Sequence, residues 1–257
     1  MGAIVKLFSG MAAGLAVMMF GLTAKADGPT LTYNPYIGGA IGLHQNTYNS
    51  GGVVDFIAGA GAFPFVNSGL VQDENWNAHQ TFGLSDVIQV GPVGIRAEAE
   101  VWRMPGQVIE TGGFPGPPNP VFFYETRIDQ SFGAMFNLWG DLRPFDDMPL
   151  IFSFGAGVGI TNLKLNVRDD QADPFIGELN QSKLTYQLGV QVGYEINEIV
   201  TAGIGASYID VGNLGVPLRR QSNNAPTGTY KLDWDSTQVM GFVRVDLNAL
   251  DTAFSGN

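Results

Sequence analysis

The sequence predicts an all-β protein: a single eight-stranded antiparallel up-and-down transmembrane β-barrel with four long external loops and three short periplasmic turns. Three observations carry this expectation. Runs of period-two alternation place apolar side chains on one strand face and glycine, serine, glutamine or charge on the other. The connections between these runs alternate between short and long, the asymmetry of an outer-membrane barrel. The N-terminus reads as an export signal.

Lys6, the apolar residues 7–22 and the small-x-small Ala24-Lys25-Ala26 define residues 1–26 as a cleaved secretory signal peptide. The apolar run falls short of the roughly 20 residues that a spanning helix needs. Residues 27–257 then form one barrel domain, with a polar tail over 248–257. The whole chain carries 13 basic and 24 acidic residues. Loss of Lys6 and Lys25 leaves 11 against 24, a net charge of about −13, so no basic patch is left to neutralise nucleic-acid phosphates. Cysteine is absent, so disulfides contribute nothing to stability. No motif asks for a cofactor or a metal.

Residues 31–44 form the predicted first strand, with Ile37, Ile41 and Leu43 sharing a face, and residues 45–80 a long glycine- and asparagine-rich loop. Strand two covers 82–90, where Asp86 falls among apolar neighbours and implies a bulge or a shifted register. After the Gly91-Pro92 turn, strand three puts Val93, Ile95, Ala97, Ala99 and Val101 outward and Arg96, Glu98 and Glu100 inward. A Pro- and Gly-rich loop, 104–120, precedes strand four over 121–141, in which Phe132, Phe136 and Leu138 face out. Strand five, 150–160, sets Phe152, Phe154, Val158 and Ile160 against Ser153, Gly155, Gly157 and Gly159. Loop three spans 166–179. Strands six and seven are the hairpin TYQLGVQVGYEINEIVTAGIGASYID at 185–210, turning at Asn197-Glu198. Loop four covers 212–229, and strand eight 230–247.

Three charges on one inward face need partners, since a buried charge is costly unless paired. The expected lumen network is Arg96, Glu98, Glu100, Glu195, Arg244 and Asp246, with Arg127 and Asp129 as further candidates; the competing reading is the solvated edge of a soluble sheet. Lys164, Lys183, Arg219 and Arg220 at loop bases are candidate contacts for lipopolysaccharide phosphates. The acidic cluster Asp169, Asp170 and Asp173 reads as a solvated loop rather than a calcium site, lacking a helix-loop-helix spacing. His44 and His79 are expected at the rim or in a loop. Ser85, Ser68, Asp73 and Glu74 lie near them in sequence, but no spacing joins them into a nucleophile and base.

These residues resemble the opacity-protein and OmpA-transmembrane-domain superfamily of small outer-membrane barrels. The resemblance rests on YIGGAIGL at 36–43, FGLSDVIQVGPVGIRAEAE at 82–100, MFNLWGDL and FGAGVGI within 131–160, the hairpin from Tyr186 to Asp210, and the closing VMGFVRVDL at 239–247. It implies a non-enzymatic outer-membrane protein that supports the envelope and presents surface loops to ligands, hosts or antibodies, assembled by the barrel-assembly machinery and touching lipid and lipopolysaccharide. Two departures stand out: the family commonly ends on an aromatic residue, whereas strand eight closes at Leu247, and Asp86 replaces a small residue. A narrow passive pore through a glycine-rich, charged lumen is the second expectation. A lipid-modifying enzyme is the third, because the histidine-serine pairs of the resembling deacylase and acyltransferase barrels have no counterpart here.

Overall fold

The computed structural model describes residues 33–54, 63–67, 71–114, 122–129, 131–144, 148–170 and 173–255. The signal peptide and Ser68 lie outside the described residues. Eleven strands and one helix follow in chain order. They are β1 (Asn34–Val54), β2 (Phe63–Asn67), β3 (Val71–Val90), β4 (Val93–Met104), β5 (Gln107–Phe114), β6 (Phe122–Ile128), β7 (Ser131–Leu142), β8 (Leu150–Asp169), β9 (Phe175–Glu195), β10 (Val200–Arg220), β11 (Pro226–Asp246) and α1 (Leu247–Ser255). Every pairing is antiparallel.

The pairings run β1–β3–β4–β7–β8–β9–β10–β11 and return from β11 to β1. Further toward the end bearing Asp173 and residues 221–225, β2, β5 and β6 take over the places of β3, β4 and β7. There β1 pairs β2, β2 pairs β5, β5 pairs β6 and β6 pairs β8. Among the described residues eleven strands appear where the sequence predicts eight, because β2 and β5 form inside the expected first and second loops and the expected fourth strand, 121–141, is divided into β6 and β7.

Three of the predicted long loops are therefore corrected in part. Residues 45–54 extend β1, 107–114 form β5, and 166–169 and 175–179 belong to β8 and β9. The fourth also shrinks: β10 reaches Arg220 and β11 starts at Pro226. The short connections at the opposite end agree with the sequence, at Gly91-Pro92, 143–149 and 196–199. Asp86 does mark a bulge: the β3–β4 register shifts between Leu84 and Ile88, and Asp86 takes a φ of 51°. Arg143 from the next turn binds it at 3.1 Å. The expected polar tail is helical, because the Asp246 carboxylate accepts the Ala249 amide at 2.9 Å and caps the first turn.

The loops were misjudged because the polarity of the two faces reverses part-way along β8 and β11, while the parity of their side chains stays fixed; in β10 the bulge between Asp210 and Gly212 moves the inward set from Ile209 and Val211 to Leu214, Val216 and Leu218. In β8 the outward residues Ala156, Val158 and Ile160 give way to Asn162, Lys164 and Arg168, all exposed, while inward Ser153 and Thr161 give way to Leu163, Leu165 and Val167, all buried. In β11 outward Val239 and Val243 are exposed, and above them the buried inward row is Tyr230, Leu232 and Trp234. One end of the molecule is thus apolar outside and polar within, and the other end is the opposite. Among the described residues no helix is long and apolar enough to cross a membrane.

Candidate functional site

The polar interior is organised by Arg96, which is fully buried. Strand parity turns Arg96, Glu98 and Glu100 of β4 inward, and the β4–β7 register sets Arg96 opposite Trp139 and Gly94 opposite Asp141. Arg96 Nε donates to Asp141 Oδ2 at 3.0 Å and Nη2 to Asp141 Oδ1 at 3.3 Å. Nη1 donates to Glu98 Oε2 at 2.8 Å and to the Tyr36 hydroxyl at 3.1 Å, and Nη2 also reaches Gln191 Oε1 at 3.0 Å. All five guanidinium donors are used, the condition under which a buried arginine is tolerated. Its Cζ lies 5.0 Å from the centroid of the Trp139 ring.

Glu98 accepts further bonds from the Tyr36 hydroxyl at 2.6 Å and the Trp139 indole at 3.1 Å. One turn of the alternation higher, Glu100 is held by Asn137 at 2.6 Å, Gln187 at 3.4 Å and His79 Nδ1. Arg244 of β11 approaches Asp141 at 3.8 Å and stacks 5.1 Å over Phe242.

Four of the six expected lumen residues, Arg96, Glu98, Glu100 and Arg244, are therefore brought together. Two are not. Glu195 ends β9 at the mouth and pairs with Arg143 at 3.5 Å, and Asp246 caps α1, because both stand where their strands leave the sheet. Arg127 faces outward, and Asp129 pairs with Lys164 at 3.2 Å. The acid that sequence reasoning missed is Asp141; its inward parity with Asn137 and Trp139 was the available signal.

Both histidines are corrected from rim to interior: His44 and His79 are buried on inward positions of β1 and β3. Ser85 instead donates to the Asn34 carbonyl at 3.3 Å, and Glu74 is exposed. His79, Glu100, Gln187 and Ser207 line a cavity of about 30 Å³, room for no more than a few waters.

The glycine-rich inner wall is filled rather than hollow. A Cβ on Gly155 or Gly189 would collide with the Trp139 ring, and one on Gly133 with Trp102. These glycines are seats for neighbouring indoles. Above them Tyr48, Trp102, Leu163, Leu165, Tyr230 and Trp234 belong to one buried apolar cluster. Tyr48 and Trp234 rings stand 5.6 Å apart, and the Trp234 indole donates to Asn46 at 3.1 Å. At the opposite end an open vestibule of about 470 Å³ is lined by Asp86, Asp141, Arg143, Glu195 and Arg244.

The candidate lipopolysaccharide contacts divide. Lys164 and Arg219 are exposed, Lys183 is half-buried, and Arg220 pairs with Asp173 at 3.5 Å and stacks on Phe175. Asp173 also accepts the Ser222 hydroxyl at 2.8 Å, and Asp169 accepts the Phe175 amide at 3.0 Å. Among the described residues no cluster of three metal-ligating side chains occurs.

Fold and interior define an antiparallel β protein whose pairing circuit closes around a buried charge network. The structure is similar to Neisserial surface protein A, with 12% identity over 86% of this chain and 100% of that one and a TM-score of 0.38. It is similar to the outer membrane protease OmpT from Escherichia coli, with 12% identity, 85% and 99% coverage and a TM-score of 0.45. Ail, the attachment invasion locus protein of Yersinia pestis, gives 10% identity, 80% and 98% coverage and a TM-score of 0.30. No family model matches the chain, and no curated protein does.

Proposed function

We propose that this protein is a structural outer-membrane β-barrel that supports the envelope and lifts a folded, water-facing upper half above the bilayer for surface interactions. In this reading β2 with β3, β4 with β5, and β6 with β7 count as single interrupted ribbons, so that eight ribbons span and close.

The observation that carries it is the reversal of polarity along the strands. Exposed Ile41, Phe82, Phe136, Ile160, Tyr186, Ile204 and Val239 form an outward apolar band around the lower half, a surface that is favourable only against lipid. β9 is 21 residues long, about twice the 9–11 residues of a tilted spanning strand. The surplus carries Glu178, Asn180 and Ser182 outward, where water is their natural neighbour. In this reading exposed Arg219, and Lys164 beside its partner Asp129, meet lipopolysaccharide phosphates above the band. The export signal, 1–26, supplies the route to that membrane.

A structural role is favoured over a pore because tryptophan rings and the apolar cluster fill the interior. It is favoured over an enzyme because His79 is fixed by Glu100 inside the wall, beside a cavity of about 30 Å³, too small for a lipid ester.

The test uses the four tryptophans. Trp76 is outward and exposed, whereas Trp102, Trp139 and Trp234 are buried. In the full mature chain refolded into vesicles, a variant retaining only Trp76 is expected to be quenched by lipids with brominated acyl chains, and one retaining only Trp139 is not. Equal quenching of both, or of neither, rejects the spanning arrangement.

A further inference from the structure

Three charges lining the open vestibule have no counter-charge within hydrogen-bonding distance among the described residues: Arg244 on its floor, and Glu198 and Asp246 at its rim. The other charges there are spoken for. Asp86 and Glu195 share Arg143, at 3.1 and 3.5 Å, and Asp141 is occupied by the fork from Arg96. Arg244 is nine-tenths buried, yet Asp141 Oδ2 stands 3.8 Å from its Nη1, and its Nε and Nη2 donate to no acceptor among the described residues. A buried guanidinium with donors unmade is costly, so an acceptor brought in from outside the chain is its natural complement.

Strand register and packing fix where these charges stand. Arg244 pairs with Gly38 of β1 and Thr201 of β10. A Cβ on Gly193 of β9 would come within 3.4 Å of Nη2, so the side chain reaches across β10 and the glycine leaves it room. The rings of Phe242 and Tyr36, centred 5.1 and 5.9 Å from Cζ, hold the guanidinium in place. Glu198 belongs to the turn 196–199 at the mouth and is exposed. The Asp246 amide donates to the Ile199 carbonyl at 2.8 Å, which brings Glu198 and Asp246 onto adjoining backbones.

We propose that the vestibule binds a short peptide with free ends, its carboxylate on Nε and Nη2 of Arg244 and its ammonium at Glu198 and Asp246. The Nε–Nη2 edge of a guanidinium matches the two oxygens of a carboxylate. A simple anion would have to pass the acidic rim without compensation, and a simple cation would leave Arg244 unanswered; a ligand with opposite charges at its two ends satisfies both. The volume of about 470 Å³ lies within the roughly 300–1,000 Å³ of small-ligand sites. Binding does not depend on the spanning arrangement proposed above, which decides only the compartment that supplies the peptide.

The test is isothermal titration of the full mature chain, refolded in detergent, with trialanine, N-acetyl-trialanine and trialanine amide. Trialanine is expected to bind saturably. Masking its carboxylate as the amide is expected to weaken binding about tenfold, and masking its ammonium by acetylation about threefold. R244Q is expected to lose about tenfold in affinity for trialanine and E198Q about threefold, while E178Q, on the outward face at the other end of β9, is unchanged. E198Q lies in an exposed turn, so it reads the site even where R244Q fails to fold. No saturable heat with trialanine at millimolar concentration, equal binding of the three probes, or wild-type affinity in both R244Q and E198Q overturns the site. Equal affinity for trialanine and its acetylated form, with E198Q unchanged, overturns the two-ended ligand.

Discussion

The guanidinium of Arg96 and the carboxylate of Asp141, 45 positions apart in the chain, meet inside the sheet in a forked pair, Nε to Oδ2 at 3.0 Å and Nη2 to Oδ1 at 3.3 Å. This pair ties β4 to the far end of β7. Glu98 fills the next guanidinium edge, and Arg244 approaches Asp141 from β11.

Removing one partner leaves the other buried with both bonds of the fork unmade, Arg96 keeping Glu98 and Asp141 keeping only the more distant Arg244. Arg96→Ala and Asp141→Ala are each expected to destabilise the folded protein by about 3–5 kcal/mol. Asp141→Leu combined with Arg96→Met is expected to cost clearly less than the two single losses together. Urea unfolding of vesicle-inserted protein, followed by tryptophan fluorescence, provides the comparison; strict additivity would show that the pair is uncoupled.

The filled interior predicts silence in a planar bilayer. Refolded protein is expected to give no stepwise conductance, because Trp139 lies across Gly155 and Gly189 and the apolar cluster closes the level above. Reproducible steps that change in Arg96→Gln or Arg244→Gln would make the charge network a constriction instead of a plug.

Glycines that seat indoles differ from glycines that face out. Gly133→Val forces a side chain into the Trp102 ring and is expected to cost about 1–3 kcal/mol by overpacking. Gly39 points outward, with the His79 carbonyl at 3.5 Å as its nearest contact, so Gly39→Ala is expected within about 0.5 kcal/mol of wild type. Melting of the two variants in the same detergent ranks them.

The contact between the two upper turns is pH-dependent. Bonds from the Ser222 hydroxyl and amide, with Arg220 beside them, hold the Asp173 carboxyl below its ordinary range. A carboxyl so lowered stabilises the contact above its unfolded value of about 3.9, and the contribution is lost as pH falls through the lower folded value. Amide exchange at Ser222 is expected to stay slow from pH 7 to about pH 4 and to quicken under more acid conditions. Asp173→Asn is expected to remove that transition, and an unchanged acid transition in the variant would assign it elsewhere.

Much of the fold was legible because strand parity is a local property. The inward set Arg96, Glu98 and Glu100 and the outward set Phe132, Phe136 and Leu138 follow from period two alone. The extension of the strands was harder to read, since the apolar row changes sides. In β8 it moves from Val158 and Ile160 to Leu163, Leu165 and Val167, which looks like a broken pattern but is an unbroken backbone passing between two solvents. Leu214-x-Val216-x-Leu218 carried the same signal within what read as the fourth loop, and Tyr230-x-Leu232-x-Trp234 carried it at the start of the eighth predicted strand.

By itself, then, the sequence determined which side chains share a face, where the tight turns fall and that the charges of β4 point inward, because each follows from neighbours within a few residues. Only the tertiary structure decided that Asp141 answers Arg96, that Asp246 caps a helix, that tryptophans occupy the glycine wall and that β9 and β10 part between Tyr186 and Ile176. Those outcomes depend on inter-strand register, and a shift of a single residue turns every side chain of a strand to the other face; register is settled by the closing of the whole sheet, not by any one segment of it.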